Sequence, residues 1–357
     1  IRRPEPLFRK EFIATYLFFF FTLASFFWNG KLTLSWGVRT VFTNVLIFVL
    51  ASGRLYSGKE KKLFAGAIFT GALIAIVVAA VHFPSVAVRQ LEIKVSKEID
   101  PNFFCGDLFV AVAMMMTMSL NKKYRWMLFF ISLLFLIVFF ASSRASMIIT
   151  LIMLVWWIGA AASQKKIHIP IITVLLFALL LFVLTRPAVM DFLIKGSVAD
   201  LLIERTKLKT LVEDQGSGRV QIWLAAWEYF LETPARFKLF GSGLATFPEI
   251  VNYIAPGHNA PYSSHNIYMN ALIEGGVIGF ILQLTALLQA FIHTIKKKSL
   301  FGSLALIALA WEGTALDAQF SRTFALAFVI AAIYRGGDDY EILFTTDGND
   351  NRPCLQG

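Results

Sequence analysis

The chain has 357 residues, of which 57% are hydrophobic, 15% aromatic and only 16% charged, whereas soluble domains usually carry about a quarter charged residues. That apolar excess excludes an ordinary soluble domain and calls for lipid. The net charge of +10 does not point to nucleic acid, because Lys and Arg sit in small clusters between apolar runs, where they orient helices and meet anionic lipid headgroups.

Apolar runs recur at close to the length of roughly 20 residues that crosses a bilayer as helix, and the short alternating strands of a barrel are missing from the pattern. In chain order the predicted helices cover 11–28, 36–52, 63–82, 103–120, 125–141, 145–163, 168–186, 266–292, 299–317 and 320–334. The first is too long and too aromatic for a cleaved signal peptide and is read as a retained helix.

Basic residues alternate between the connections, as they do when one side is cytoplasmic. One set holds Arg2, Arg3, Arg9 and Lys10; Arg54, Lys59, Lys61 and Lys62; Lys122, Lys123 and Arg125; Lys165 and Lys166; Lys296, Lys297 and Lys298; and Arg335. This set and both termini are placed in the cytoplasm. The turn Ser142–Ser146 and the stretches 83–102 and 187–265 then face outside. Cys105 and Cys354 fall on opposite sides, which excludes a disulfide between them.

The stretch 187–265 is long enough for a small helical cap. Its clearest element is Gly218–Leu231, where Val220, Trp223, Leu224, Trp227 and Leu231 recur at helical spacing. After Ile333 the chain turns polar and is read as a flexible cytoplasmic tail. The expected organisation is therefore 1–186 for the first seven membrane helices, 187–265 for a periplasmic helical loop, 266–335 for helices eight to ten, and 336–357 for the tail.

Three segments could carry chemistry. His265-Asn266-Ile267-Tyr268-Met269-Asn270 leads into Glu274-Gly275-Gly276 and Gly279 at the outer end of the eighth helix. Helical spacing would align His265, Tyr268 and Leu272, and polar groups at such depth usually face a cavity or the bundle interior. The bland alternative is that Ser264 caps the helix, His265 sits in a wet first turn, and the glycines admit a neighbouring helix. Both readings stay open on this segment alone. Glu274 lies nine residues from His265, about 13 Å along a helix, and is assigned no direct role.

Arg144 stands in a short outer turn between apolar helices, where a charge without purpose would be unusual. Arg219 follows Gly218 in a glycine-rich turn that opens the amphipathic helix, and such turns expose amide donors suited to phosphate. Guanidiniums bind phosphate oxygens bidentately and keep their charge. Either arginine alone also suits a lipid headgroup or a salt bridge. Asp100 and Pro101 read as the cap and first residue of the fourth helix rather than as a metal site with Glu98. Zinc spacing and the Gly-Lys-Ser/Thr phosphate loop are absent from the sequence, so neither zinc proteolysis nor ATP-driven transport has its usual marker.

His265-Asn266 followed by Gly276-Val-Ile-Gly279 resembles the signature of the O-antigen ligase and polymerase superfamily of bacterial envelope proteins. The resemblance extends to Asp100-Pro101-Asn102, Ser143-Arg144, Gly218-Arg219 with Ile222-Trp223, and Gly241-Ser242-Gly243, covering roughly residues 100 to 280. It implies an all-α, GT-C-like polytopic fold of about ten to twelve membrane helices with a large periplasmic loop. It also implies a glycan donor on undecaprenyl diphosphate in the bacterial inner membrane, and an acceptor that is the lipid A core sugar (ligase, preferred) or another carrier-linked glycan (polymerase). No cofactor or metal is expected, and no partner beyond substrates and membrane lipids. His265 would be the base, Arg144 and Arg219 the diphosphate ligands, and Asn266, Tyr268 and Gly218 would line or support the site. A lipid-linked glycan transporter is the competing class; it predicts pseudo-repeated halves and broken helices near mid-depth, and no repeat is visible in the sequence.

Overall fold

The computed structural model describes residues 8–28, 36–81, 101–141, 143–184, 186, 219–247, 250, 264–315 and 322–334. Gly218, Glu98, Asp100, Cys354 and the tail after Tyr334 lie outside them.

Among the described residues the secondary structure is entirely helical. The helices are α1 (Ile13–Ser25), α2 (Trp36–Ser52), α3 (Gly58–Val81), α4 (Pro101–Ser119), α5 (Met127–Phe140), α6 (Arg144–Ser163) and α7 (His168–Leu184). They continue with α8 (Arg219–Glu232), α9 (Ala235–Phe240), α10 (Ile267–Lys296), α11 (Leu300–Glu312) and α12 (Arg322–Ile333). Short 3-10 turns at Lys10–Phe12 and Phe26–Trp28 lengthen α1 at both ends. Every membrane helix read from the sequence is present within a few residues, as is the amphipathic helix, and Pro101 opens α4 as expected.

Four apolar helices are long enough to cross a bilayer unaided: Lys10–Trp28, Gly58–Val81, Arg144–Ser163 and Ile267–Lys296. Six shorter apolar helices fill out the bundle, which makes this a polytopic membrane protein. Helices α4, α11 and α12 form its centre, with Val112, Met115, Leu304 and Phe328 fully buried. Helices α3, α6 and α7 lie at the perimeter and leave Leu63, Val77, Leu151 and Leu175 exposed, as lipid-facing surfaces require. In lipid, helices associate through close packing and small residues rather than the hydrophobic effect. Helix α3 shows the rule: its buried apolar residues are Ala65, Ala72 and Ala79, seven residues apart on the stripe that meets the bundle.

A buried polar knot closes the basic end. Arg9 donates to the carbonyls of Ala332 (3.1 Å) and Arg54 (3.2 Å), and Tyr334 donates to the carbonyl of Lys61 (3.0 Å). Arg54 also pairs with Glu60. The start of α1, the α2–α3 connection and the end of α12 are thereby fixed together.

Helix α10 is broken. Gly276 adopts φ 65°, ψ −167°, outside helical space and costly for any residue with a Cβ. The loop after α9 fills the break: Ser242 donates its amide to the Ile273 carbonyl and Gly243 to the Glu274 carbonyl, both at 2.9 Å. The glycine-rich run was expected to admit a neighbouring helix. Gly275 and Gly279 do so, with Phe21 of α1 at 3.5 and 3.2 Å from where their Cβ atoms would lie. Gly276 instead admits the backbone of Leu239 and Gly241. Irregular backbone at membrane depth is tolerated where protein re-satisfies its polar groups. The broken helix that a transporter would use as a path is here plugged by loop.

Candidate functional site

The head of α10 is built by its own side chains. Asn266 is the N-cap, its Oδ1 accepting from the amides of Tyr268 (2.9 Å) and Met269 (3.1 Å). This corrects the expectation that Ser264 caps the helix. Ser264 Oγ instead accepts from the Asn266 amide (3.0 Å) and donates to the Asn266 carbonyl (2.8 Å), tightening the turn before the cap. Between them His265 takes φ 49°, a left-handed conformation uncommon for a residue with a side chain. His265 therefore stands ahead of the helix and does not share the face of Tyr268 and Leu272. Held this way it is half-buried, with Nδ1 sheltered from solvent.

The end of α11 clamps this head. The Ile267 amide donates to the Gly313 carbonyl (2.8 Å), the Tyr268 hydroxyl to the Ala310 carbonyl (2.6 Å), and Asn266 Nδ2 to the Thr314 carbonyl (3.4 Å). Carbonyls in the last turn of a helix lack intrahelical partners, so each bond satisfies a group that α11 leaves open. Tyr268, read from the sequence as a sugar platform or interface anchor, commits its hydroxyl to the clamp.

The cap reaches the same turn. Trp223 of α8 donates its indole N–H to the Ser264 carbonyl at 2.7 Å. Arg219 is the first residue of α8 and lies one turn before Trp223 on the same face. Arg144 is the first residue of α6, capped by Ser143, whose hydroxyl accepts from the Ser146 amide (3.3 Å). Helix α6 is tied to α11 by Trp156, which donates to Ser303 Oγ at 3.0 Å, and Arg144 lies twelve residues, about 18 Å of helix, before Trp156.

The structure brings Arg219, His265, Asn266 and Tyr268 to one end of the bundle, and Arg144 opens the helix that packs on α11. Both arginines occupy the first position of a helix, where the dipole is positive and a cation costs stability. The same position exposes amide donors and suits an oxyanion. A guanidinium at a helix start also binds phosphate oxygens bidentately.

Glu274 is buried and joins cap to bundle, accepting the Phe247 amide on Oε1 at 3.1 Å. It borders a cavity of about 30 Å³ between α1, α2, α10 and α12, together with Thr22, Ser25 and Asn44. Sequence reasoning missed the cap bond of Trp223 and the buried acid Glu312. Trp223 was recognised in an apolar stripe and in the family resemblance, neither of which gives its indole a partner, and Glu312 ends an otherwise apolar helix without any motif around it.

A family model described as O-antigen ligase matches residues 127–284, which span α5 to the middle of α10 and contain Arg144, Arg219 and His265. No curated protein matches the chain.

Proposed function

We propose, from the match of residues 127–284 to the O-antigen ligase family model, that this chain is a membrane glycosyltransferase of the ligase and polymerase kind and moves a glycan from undecaprenyl diphosphate to the lipid A core sugar. The observation that carries the reading is the left-handed His265 turn held by the cap helix that Arg219 opens, and Arg144, which opens a second helix, completes the proposed diphosphate site.

In this reaction an acceptor hydroxyl attacks the anomeric carbon while the bond from that carbon to the diphosphate oxygen breaks. The hydroxyl proton passes to His265, acting as general base. The diphosphate departs with the bonding electrons, and its growing charge meets the two guanidiniums and the amides of the α6 and α8 starts. In-line attack inverts the anomeric centre. Neither a general acid nor a metal is required once the leaving diphosphate is balanced. Asn266 holds the turn that aims His265. The lysine-rich end lies in the cytoplasm on this reading, and the site faces the periplasm from the inner membrane.

The test is complementation of cells lacking their own ligase, comparing wild type with His265→Ala, Arg144→Ala and Arg219→Ala at matched membrane expression on a lipopolysaccharide gel. Loss of long-chain glycan on the lipid A core, with carrier-linked polymer accumulating, is the expected result. Capped single repeats would assign a polymerase instead, and undiminished ladders in all three variants would overturn the site.

A further inference from the structure

Glu312 is an unusual residue for its place. It ends α11 with 3% of its surface exposed, and no hydrogen bond from a described residue reaches its carboxyl group. Burying a carboxyl is costly in general, so what it packs against has to account for its place. Its carboxyl group lies against Gly106 of α4, where a Cβ would meet Oε1 and would stand 2.6 Å from Cδ and 3.2 Å from Oε2. The charge of Asp107, exposed on the next position of α4, acts on it as well.

The residues around it give the placement meaning. Ala310, Gly313 and Thr314, on either side of Glu312, supply the three carbonyls that hold Tyr268, Ile267 and Asn266. Gly313 repeats the device of Gly106, since a Cβ there would meet the Ile267 side chain. Two glycines thus stack α4, α11 and the head of α10 more closely than side chains allow, with the Glu312 carboxyl filling the first gap. The end of α11 thus meets α4 through that carboxyl and the head of α10 through the three carbonyls, which puts Glu312 one step from the His265 turn.

We propose that Glu312, seated on Gly106, is a positioning residue of the transfer site, fixing the α11 clamp that aims His265. The inference rests on the glycosyl-transfer reading. Glu312 does not touch substrate; it acts through Asn266 and Ile267.

The experiment uses the purified full chain in proteoliposomes with a polyprenyl-diphosphate-linked glycan and a lipid A core acceptor. It compares Glu312→Ala, Glu312→Gln, Gly106→Ala and the double variant Gly106→Ala/Glu312→Ala, each at matched folded amount. Misplacing a base by a fraction of an ångström lowers turnover without weakening the donor, so Glu312→Ala is expected to lose kcat by about tenfold or more with KM for the donor unchanged within about twofold. Gln fills the same seat and restores at least about half the turnover. Gly106→Ala evicts the carboxyl and matches the loss, while the double variant, whose new methyl occupies the vacated space, is no worse than Glu312→Ala alone. Unchanged kcat in Glu312→Ala, a loss carried by KM, or additive losses in the double variant would each overturn the proposal. If wild type transfers no glycan, the functional reading has failed and the seat is decided by thermal unfolding in the same liposomes. Single variants that each melt lower, with a double no lower than Glu312→Ala, then uphold the Gly106–Glu312 coupling, and additive shifts remove it.

Discussion

Trp223 and Ser264 are joined by a 2.7 Å hydrogen bond from the indole N–H to the backbone carbonyl, and through it the cap helix α8 holds the turn that presents His265. A neutral bond of this kind is worth about 1 kcal/mol, and a carbonyl left buried without its donor costs somewhat more. Trp223→Phe keeps the ring and removes the donor, so it is expected to lower glycan transfer about fivefold while the bundle melts within a few degrees of wild type. Transfer equal to wild type would show that the cap does not hold the turn through this bond.

Asn266→Ala removes the cap from α10 and leaves the Tyr268 and Met269 amides without their acceptor. The expected cost is about 1–2 kcal/mol of stability, with Asn266→Asp and Asn266→Ser recovering most of it because both side chains cap well. Chemical unfolding in detergent measures the three variants side by side. Ser264→Ala is expected to cost less than Asn266→Ala.

Gly275 and Gly276 are neighbours with different tolerances. Gly276→Ala puts a Cβ at φ 65° and into the Leu239 carbonyl, and backbone strain alone costs about 1–3 kcal/mol. Gly275→Ala meets only Phe21 at 3.5 Å, an ordinary contact. Expression and melting of the two alanine variants are therefore expected to separate, with Gly276→Ala failing to accumulate as folded protein and Gly275→Ala close to wild type.

Glu274 accepts the Phe247 amide on Oε1, and a glutamine carbonyl can accept the same bond. Glu274→Gln is expected to keep transfer within about twofold, whereas Glu274→Ala leaves a buried amide unsatisfied and loses about 1–3 kcal/mol. Limited proteolysis of the cap reads the difference directly, since the alanine variant frees the segment around Phe247. Equal loss in both variants would mean that the charge of Glu274, rather than its acceptor oxygen, is what the protein uses.

The bundle was legible in the sequence because a membrane helix is specified locally. A run of about 20 apolar residues satisfies its own backbone in lipid whatever its neighbours do. Helices Gly58–Val81 and Arg144–Ser163 needed no tertiary information to be assigned. The candidate residues Arg144, Arg219 and His265 were equally visible, because polar groups stand out against an apolar background. What the tertiary structure alone decided depends on pairs far apart in the chain. The helical phase that placed His265 beside Tyr268 failed because the α11 end, with the Asn266 cap, starts α10 at Ile267 and leaves His265 ahead of the helix. The break at Gly276 could not be read from a glycine pair, since its cause is the Leu239–Gly243 loop that fills it. Glu312 carries no local signature at all, and only the approach of Gly106 from another helix makes it meaningful. Composition and periodicity determined which segments enter the membrane; the orphan carbonyls and missing Cβ atoms at helix ends determined how the site is aimed, because those groups are satisfied only by partners that folding brings to them.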